Sequence, residues 1–153
     1  ESGRLRFVED RLELDDQLTL YACNGEAAVY PLDSAGLTEE RDGARHPDRF
    51  LHEQYLMIRE KGKKVLISGC SHKGILNIMH WLEPDVLVGG FHFMKQEVGP
   101  GGNPVLDTAA RALLEHGARY YTCHCTGQAP FDYLKERMGD ALQYLASGQV
   151  ITI

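Results

Sequence analysis

The chain has 153 residues, of which 43% are hydrophobic and 25% are charged. This length and composition predict a single globular domain, 1–153, whose core is large enough to be stable without disulfides. The 22 acidic residues against 16 basic ones exclude the basic stripe of a nucleic-acid surface. No apolar run approaches the roughly 18 residues of a membrane span. We therefore expect no nucleic-acid partner and no membrane.

Two features indicate the compartment. Residues Glu1 to Arg4 lack the apolar core of a signal peptide. Two of the four cysteines, Cys123 and Cys125, are separated by one histidine, which speaks against a disulfide framework. We expect free thiols and a cytoplasmic chain, unless a leader has already been removed.

Residues 1–60 form a strand- and loop-rich part, because their apolar residues alternate with polar ones over short runs. Residues 33–49 are polar and contain Gly36, Gly43 and Pro47, which predicts a surface loop. The predicted strands are Arg4–Leu14, Leu18–Ala22 and Gln54–Ile58, with turns at Asp15–Asp16 and Lys61–Lys63.

Residues 61–153 alternate between strand and helix from Lys64 onward. Strands separated by helices pair in parallel through right-handed crossovers, which predicts an α/β fold. The clearest helix is 106–116, whose apolar residues follow the helical repeat and which stops at Gly117. The other predicted elements are strands 65–67, 86–88, 119–122 and 149–153 and helices 74–82 and 130–138.

Each of three predicted parallel strands is followed by a segment that contains a histidine, with cysteines in two of the three. The segments are Gly69–His72, Gly89–His92 and Cys123–Gly127. Ligands of open α/β sheets bind beyond the carboxyl ends of the strands. Imidazole nitrogen and thiolate sulfur suit zinc or iron, and a catalytic metal lowers the pKa of its bound water. The pattern predicts a hydrolytic metal centre with Cys70, His72 and His124 as ligands.

Each of these residues also has a structural interpretation. Cys70 could be a small buried apolar residue, and His92 a hydrogen-bonded core residue. We expect Cys123 and Cys125 to be structural, because they alternate with His124 on a strand and face its opposite side. Three glycines, Gly69, Gly89 and Gly90, are expected to permit close packing at the rim.

A second predicted feature is an anion-binding site. Ser71, Lys73 and Gly74 lie where the first parallel strand turns into its helix, so their backbone N–H groups could face a phosphate. Thr126 takes the equivalent place before the last helix. Capping residues look the same, so helix capping is the alternative. For the His52–Glu53 pair we expect a surface position, with support of a metal ligand as the alternative.

The stretches KVLISGCSHKGILNI, VLVGGFHF and YYTCHCTG, with PDRFLHEQYLMI upstream, resemble the C-terminal half of the metallo-β-lactamase superfamily over about residues 50–153. The resemblance is greatest to the branch of metal-dependent hydrolases that includes the dihydropterin ribofuranosylaminobenzene 5′-phosphate synthase-like proteins. It implies half of an αββα sandwich. It also implies that His72 and His124 bind the metal, that Cys70 stands where relatives have a bridging Asp or Cys, and that His92 faces substrate or metal.

The sequence departs from the family's pattern in one respect. The His-x-His-x-Asp-His motif of the family's N-terminal half is absent. The chain is thus a fragment, or a second chain carries the other half, or catalysis is lost.

Two main hypotheses follow. In the first, the completed molecule is a metal-dependent hydrolase using zinc, or iron or manganese. His72 and His92 are its catalytic residues, and Ser71, Lys73 and Thr126 bind a small phosphorylated or otherwise anionic substrate. In the second, the chain is a non-catalytic metal-binding half-domain, completed by a second chain or a homo-oligomer. A third, weaker hypothesis is a thiol enzyme using Cys70 at a helix N-terminus.

Overall fold

The computed structural model describes residue 3 and residues 5–153. Nine strands and three helices make up its regular structure in these residues. The strands are β1 (Arg11–Glu13), β2 (Leu18–Tyr21), β3 (Thr38–Arg41), β4 (Ala44–Pro47), β5 (Tyr55–Glu60), β6 (Lys63–Ile67), β7 (Val86–Val88), β8 (Arg119–Thr122) and β9 (Leu142–Tyr144). The helices are α1 (Ile75–Leu82), α2 (Pro104–Glu115) and α3 (Gln128–Met138).

Seven strands form one sheet in the order β1-β2-β5-β6-β7-β8-β9. Its first three pairings are antiparallel and its last three are parallel. Because β6 to β9 are added one after another at the same edge, right-handed crossovers place α1, α2 and α3 on the same face of the sheet. The predicted α/β class and the alternation after residue 64 are confirmed.

The first half differs from the prediction in two places. The predicted strand Arg4–Leu14 is limited to β1 within the described residues, and Arg4 itself lies outside them. The predicted surface loop 33–49 instead contains the hairpin β3-β4. Its turn residues, Asp42 and Gly43, both have positive φ, as a two-residue Asp-Gly hairpin turn requires.

The predicted closing strand Gln149–Ile153 is also wrong. The strand that pairs with β8 is β9, where Leu142 lies opposite Tyr120 and is fully buried. A short turn, Gly139–Ala141, returns the chain to the sheet directly after α3. Val150 is 90% exposed, so the apolar residues that suggested a strand here do not contribute to the core.

The two faces of the sheet have different surroundings. On the helix side, Met57, Leu66, Leu87, Tyr120 and Leu142 form one core with the three helices. The pleat turns their neighbours to the other side. We call that side the open face. Its partly exposed apolar side chains are Leu18, Leu20, Leu56, Ile58, Val65, Ile67 and Val88, and it also carries the buried Val86 and Tyr121.

None of the helices in the described part of the chain is both long and apolar enough to cross a membrane.

Candidate functional site

The candidate site lies at the carboxyl edge of β6, β7 and β8, where the chain leaves each strand for a helix. Each of the three corners contains one non-glycine residue with positive φ: Ser71 at 59°, His92 at 56° and His124 at 48°. Such a backbone conformation costs about 1 kcal/mol or more for a residue with a Cβ. The fold therefore bears a conformational cost at the corners that carry its imidazoles.

The structure brings two of the predicted histidines together. The ring centroids of His72 and His92 are 4.2 Å apart, with an interplanar angle of 54°. Phe50 stacks on the His72 ring, with ring centroids 4.8 Å apart and an interplanar angle of 19°. Among the described residues, three buried nitrogens of this pair lack a hydrogen-bond partner: Nδ1 of His72 and both nitrogens of His92. Buried polar atoms are normally paired, so this pair is suited to a ligand.

The surroundings of His92 favour its neutral form. Burial lowers the pKa of this imidazole, and the neighbouring His72 and Lys95 lower it further. A neutral imidazole retains a lone pair, so His92 can accept a proton or bind a metal ion at neutral pH.

The other two predicted metal ligands do not form an ion-holding cluster with the histidine pair in the described residues. His124 is exposed and begins a short 3-10 turn, His124–Thr126. Cys70 is partly buried beside Cys125, whose Sγ lies 3.5 Å from the Cys70 carbonyl oxygen. Burial, followed by a hydrogen bond with Cys70, raises the pKa of the Cys125 thiol to about 12.

The donor set fits part of a metal site. Two imidazoles with unpartnered buried nitrogens, His72 and His92, are donors of the kind that suits zinc and iron. No cluster of three or more His, Cys, Asp or Glu side chains able to hold a metal ion occurs in the residues that the structure describes. These residues can therefore supply some ligands of a metal ion, but not a full coordination shell.

At the anion-binding site predicted at Ser71, Lys73 and Gly74, two backbone N–H groups are bound by a carboxylate of the protein itself, that of Glu53. Glu53 Oε1 accepts a hydrogen bond from the His72 backbone N–H at 2.7 Å, and its Oε2 accepts one from the Lys73 N–H at 3.0 Å. Glu53 is only 9% exposed. The expected surface position of this residue is thus wrong: Glu53, Tyr55 and Met57 alternate onto the buried face, a pattern that the sequence contained.

The side chains of the three predicted substrate-binding residues have internal partners. Lys73 is 3% exposed, and its Nζ donates to the Ala22 carbonyl and to Asn24 Oδ1, each at 2.5 Å. Ser71 and Ser68 share a hydrogen bond of 2.7 Å. The hydroxyl of Thr126 bonds to Thr122 and accepts from the Phe91 N–H. Their assignment to substrate stays a prediction.

Two expectations about the rim need correction. Cys123 and Cys125 do not alternate with His124 on a strand, because β8 ends at Thr122. Close packing is found at two of the three glycines only. A Cβ would lie 2.4 Å from the Ser68 oxygen at Gly89 and 2.5 Å from Cys125 Sγ at Gly90, but would meet nothing within 4 Å at Gly69.

A cleft of about 830 Å³ opens beside the histidine pair. Its walls come from the segment 30–36, the turn 71–76, the segment 91–96 and the start of α2. Asn77, fully buried on α1, holds the first of these segments: its Oδ1 accepts from the N–H groups of Val29 and Tyr30, and its Nδ2 donates to the Tyr30 carbonyl. The cleft is within the size range of small-molecule sites.

Two charged residues line the cleft, Asp33 and Lys95, and neither received a role from the sequence. For Lys95 the hydrogen-bond partner is known. Its Nζ donates to the Ala35 carbonyl at 2.7 Å. This partner is uncharged, so the hydrogen bond leaves the positive charge of Lys95 available to an anion.

Comparisons with known proteins give a structural match. No protein-family model and no curated protein matches the sequence. Among solved structures, the chain is similar to Tm1679, described as a metal-dependent hydrolase of the β-lactamase superfamily, with a TM-score of 0.72 and 26% sequence identity. The match covers 96% of this chain and 57% of the Tm1679 chain. The chain thus spans little more than half the length of that protein.

Proposed function

We propose that this chain, whose fold is that of the β-lactamase superfamily of metal-dependent hydrolases, is the part of such a hydrolase that carries His72, His92 and His124. The observation that carries the proposal is the contact between His72 and His92, with three buried nitrogens left without partners. A fold match alone would not assign a function. Here the unpartnered nitrogens lie at the strand ends, where α/β proteins bind their ligands.

The proposed roles follow from the chemistry of each group. His72, at the cleft, is the first proposed ligand of a zinc, iron or manganese ion, which when bound would supply Lewis-acid activation of water. His124 and Cys70 stay proposed ligands, although the described residues form no three-residue cluster around one ion. His92, whose pKa is lowered by burial and by its neighbours, is the proposed proton acceptor at the cleft. Phe50 covers one face of His72 and restricts its ring.

We propose a small anionic substrate that occupies the cleft. Lys95 lines this cleft, whereas the ammonium of Lys73 is buried and bonded away from it. We therefore assign to Lys95 the anion contact that the sequence suggested for Lys73. The apolar walls, which include Ile75, Leu76 and Val105, would hold the rest of the molecule.

Metal binding is the direct test. The purified chain is titrated with Zn²⁺ and with Mn²⁺ in a calorimeter, and its bound metal is counted by elemental analysis. Removing a true ligand in His72→Ala or His124→Ala should weaken binding by more than the tenfold to hundredfold typical of an outer-shell partner. His80→Ala is the matched control, because His80 is exposed on α1. Unchanged binding in the His72→Ala, His124→Ala double variant would refute the proposal.

A second candidate function is a non-catalytic half-domain, and the open face favours it. Ile67 is 37% exposed between Leu56 and Val88, so a row of apolar side chains crosses the sheet. Contiguous exposed apolar surface marks an interaction site. The proposed partner is the other layer of the sandwich, supplied by further sequence, a second chain or a second copy.

Self-association distinguishes this candidate. By light scattering we expect the isolated chain to form dimers or larger species, and Ile67→Glu to shift it toward the monomer. Leu114→Glu is the control, because Leu114 is comparably exposed, at 43%, but lies on α2, on the opposite side of the sheet. A monodisperse monomer that binds no apolar dye would count against an unpartnered face.

A further inference from the structure

We infer that Glu53 is a positioning residue that holds the His72 corner in its working geometry, an inference that rests on the proposed role of His72. Glu53 lies outside the three strand-end segments that carry the candidate site. It precedes β5, in the antiparallel part of the chain, and reaches the corner between β6 and α1.

The Glu53 carboxylate accepts three hydrogen bonds at this corner. It accepts the backbone N–H groups of His72 and Lys73, and its Oε2 also accepts the Tyr55 hydroxyl at 2.5 Å. Two consecutive N–H groups pointing at one carboxylate form an anion-binding nest. Charge-assisted bonds of this kind are about twice as strong as neutral ones. The carboxylate therefore fixes the peptide planes on both sides of the His72 Cα.

The corner needs such support. Ser71, directly before His72, has a φ of 59°, a conformation that persists only where the surroundings enforce it. The segment that carries Glu53 also carries Phe50, whose carbonyl accepts the Glu53 N–H at 3.0 Å and whose ring stacks on His72. One short segment thus fixes the backbone of His72 through Glu53 and its ring through Phe50.

Substituting Glu53→Gln tests this arrangement. Glutamine keeps the length of the side chain but turns one of its oxygens into an NH₂ donor that faces a backbone N–H donor. Tyr55→Phe is the matched control, because it removes the third hydrogen bond and leaves both backbone contacts intact. Nitrogen-15 spectra of the 153-residue chain report the His72 amide and imidazole, and His46, in the separate β3-β4 hairpin, serves as an internal reference.

We expect Glu53→Gln to displace the His72 signals strongly, Glu53→Asp to displace them less, and Tyr55→Phe to leave them nearly unchanged. Zn²⁺ affinity should fall by about tenfold to hundredfold in Glu53→Gln and by less than about twofold in Tyr55→Phe. If a folded Glu53→Gln variant keeps the wild-type His72 signals, the inference is refuted. If Glu53→Gln does not fold, Glu53→Asp is used instead. A displacement of the His72 signals in Glu53→Asp that is no larger than in Tyr55→Phe then refutes the inference.

The two readouts separate this inference from the proposed function. The His72 signals need no metal ion, so they test the positioning role by themselves. If the wild-type chain binds no Zn²⁺ while Glu53→Gln still displaces His72, the metal-dependent function fails and the structural part of the inference survives.

Discussion

The hydrogen bonds between Asn77 and the segment at Val29 and Tyr30, here called the tether, give a prediction whose size follows from the structure. Asn77→Ala removes four hydrogen bonds: those from the N–H groups of Val29 and Tyr30, at 2.9 and 2.8 Å, and those to the carbonyls of Tyr30 and Lys73, at 3.0 and 2.9 Å. A net contribution of about 1 kcal/mol each gives an upper figure of about 4 kcal/mol. Because Val29 is exposed, water can replace part of the loss, and we expect about 3 kcal/mol.

Two measurements check this value. Urea unfolding followed by circular dichroism gives the change in the free energy of unfolding. Hydrogen exchange gives the protection of the Val29 and Tyr30 amides, which should fall further than that of Leu66 in the core. The cleft should lose its wall at Tyr30, so ligand affinity should fall as well.

Asn103→Ala serves as the control for this variant. Asn103 caps α2 by accepting from the N–H groups of Val105 and Leu106, and loss of such a cap costs about 1–2 kcal/mol. It should leave the exchange of Val29 and Tyr30 unchanged. A loss below about 1 kcal/mol in Asn77→Ala, with those two amides still protected, would show that the tether is not what holds the segment.

Two further predictions concern packing and pH. Gly89→Ala should destabilise the fold by about 1–3 kcal/mol in urea unfolding, because its Cβ would lie 2.4 Å from the Ser68 oxygen, and equal stability of Gly89→Ala and the unhindered Gly69→Ala would contradict this. Asp107 should titrate below its usual pKa, because its carboxylate accepts hydrogen bonds from the Tyr133 hydroxyl, which has the larger effect, and from Arg137. Its contribution to stability is therefore present above the unfolded-state pKa and is lost as the pH falls through the lower folded value. In carbon-13 titrations Tyr133→Phe should raise the pKa of Asp107, and an unchanged midpoint would refute this cause.

The parallel half of the fold could be predicted because burial and periodicity agree there. Residues 86–88 are an apolar run and residues 119–122 contain two adjacent tyrosines, each segment lies between helical repeats, and both are strands with the predicted bounds. The helix predicted to begin at residue 106 begins at Pro104, after the cap Asn103. The sequence contained this start, since asparagine followed by proline is typical of a helix N-terminus.

The remaining features had weak local signals or depended on contacts between distant residues. The β3-β4 hairpin has little apolar alternation, so only its Asp42–Gly43 turn indicated it. The pairing of His72 with His92 depends on the left-handed corners at Ser71 and His92, which periodicity does not reveal. The burial of Glu53 could have been inferred from its alternation with Tyr55, but its partners, 19 and 20 positions further on, could not.

Glu53 forms hydrogen bonds with residues 19 and 20 positions further along the chain, and this affects the order in which parts of the protein can fold during synthesis. When the ribosome has released only the antiparallel strands, this carboxylate and the Tyr55 ring have no α1 corner to receive them. An unpaired buried charge is costly, so we expect Glu53 to stay in water until the corner between β6 and α1 has formed. We therefore expect the burial of Glu53 and the placement of His72 to occur in the same folding step.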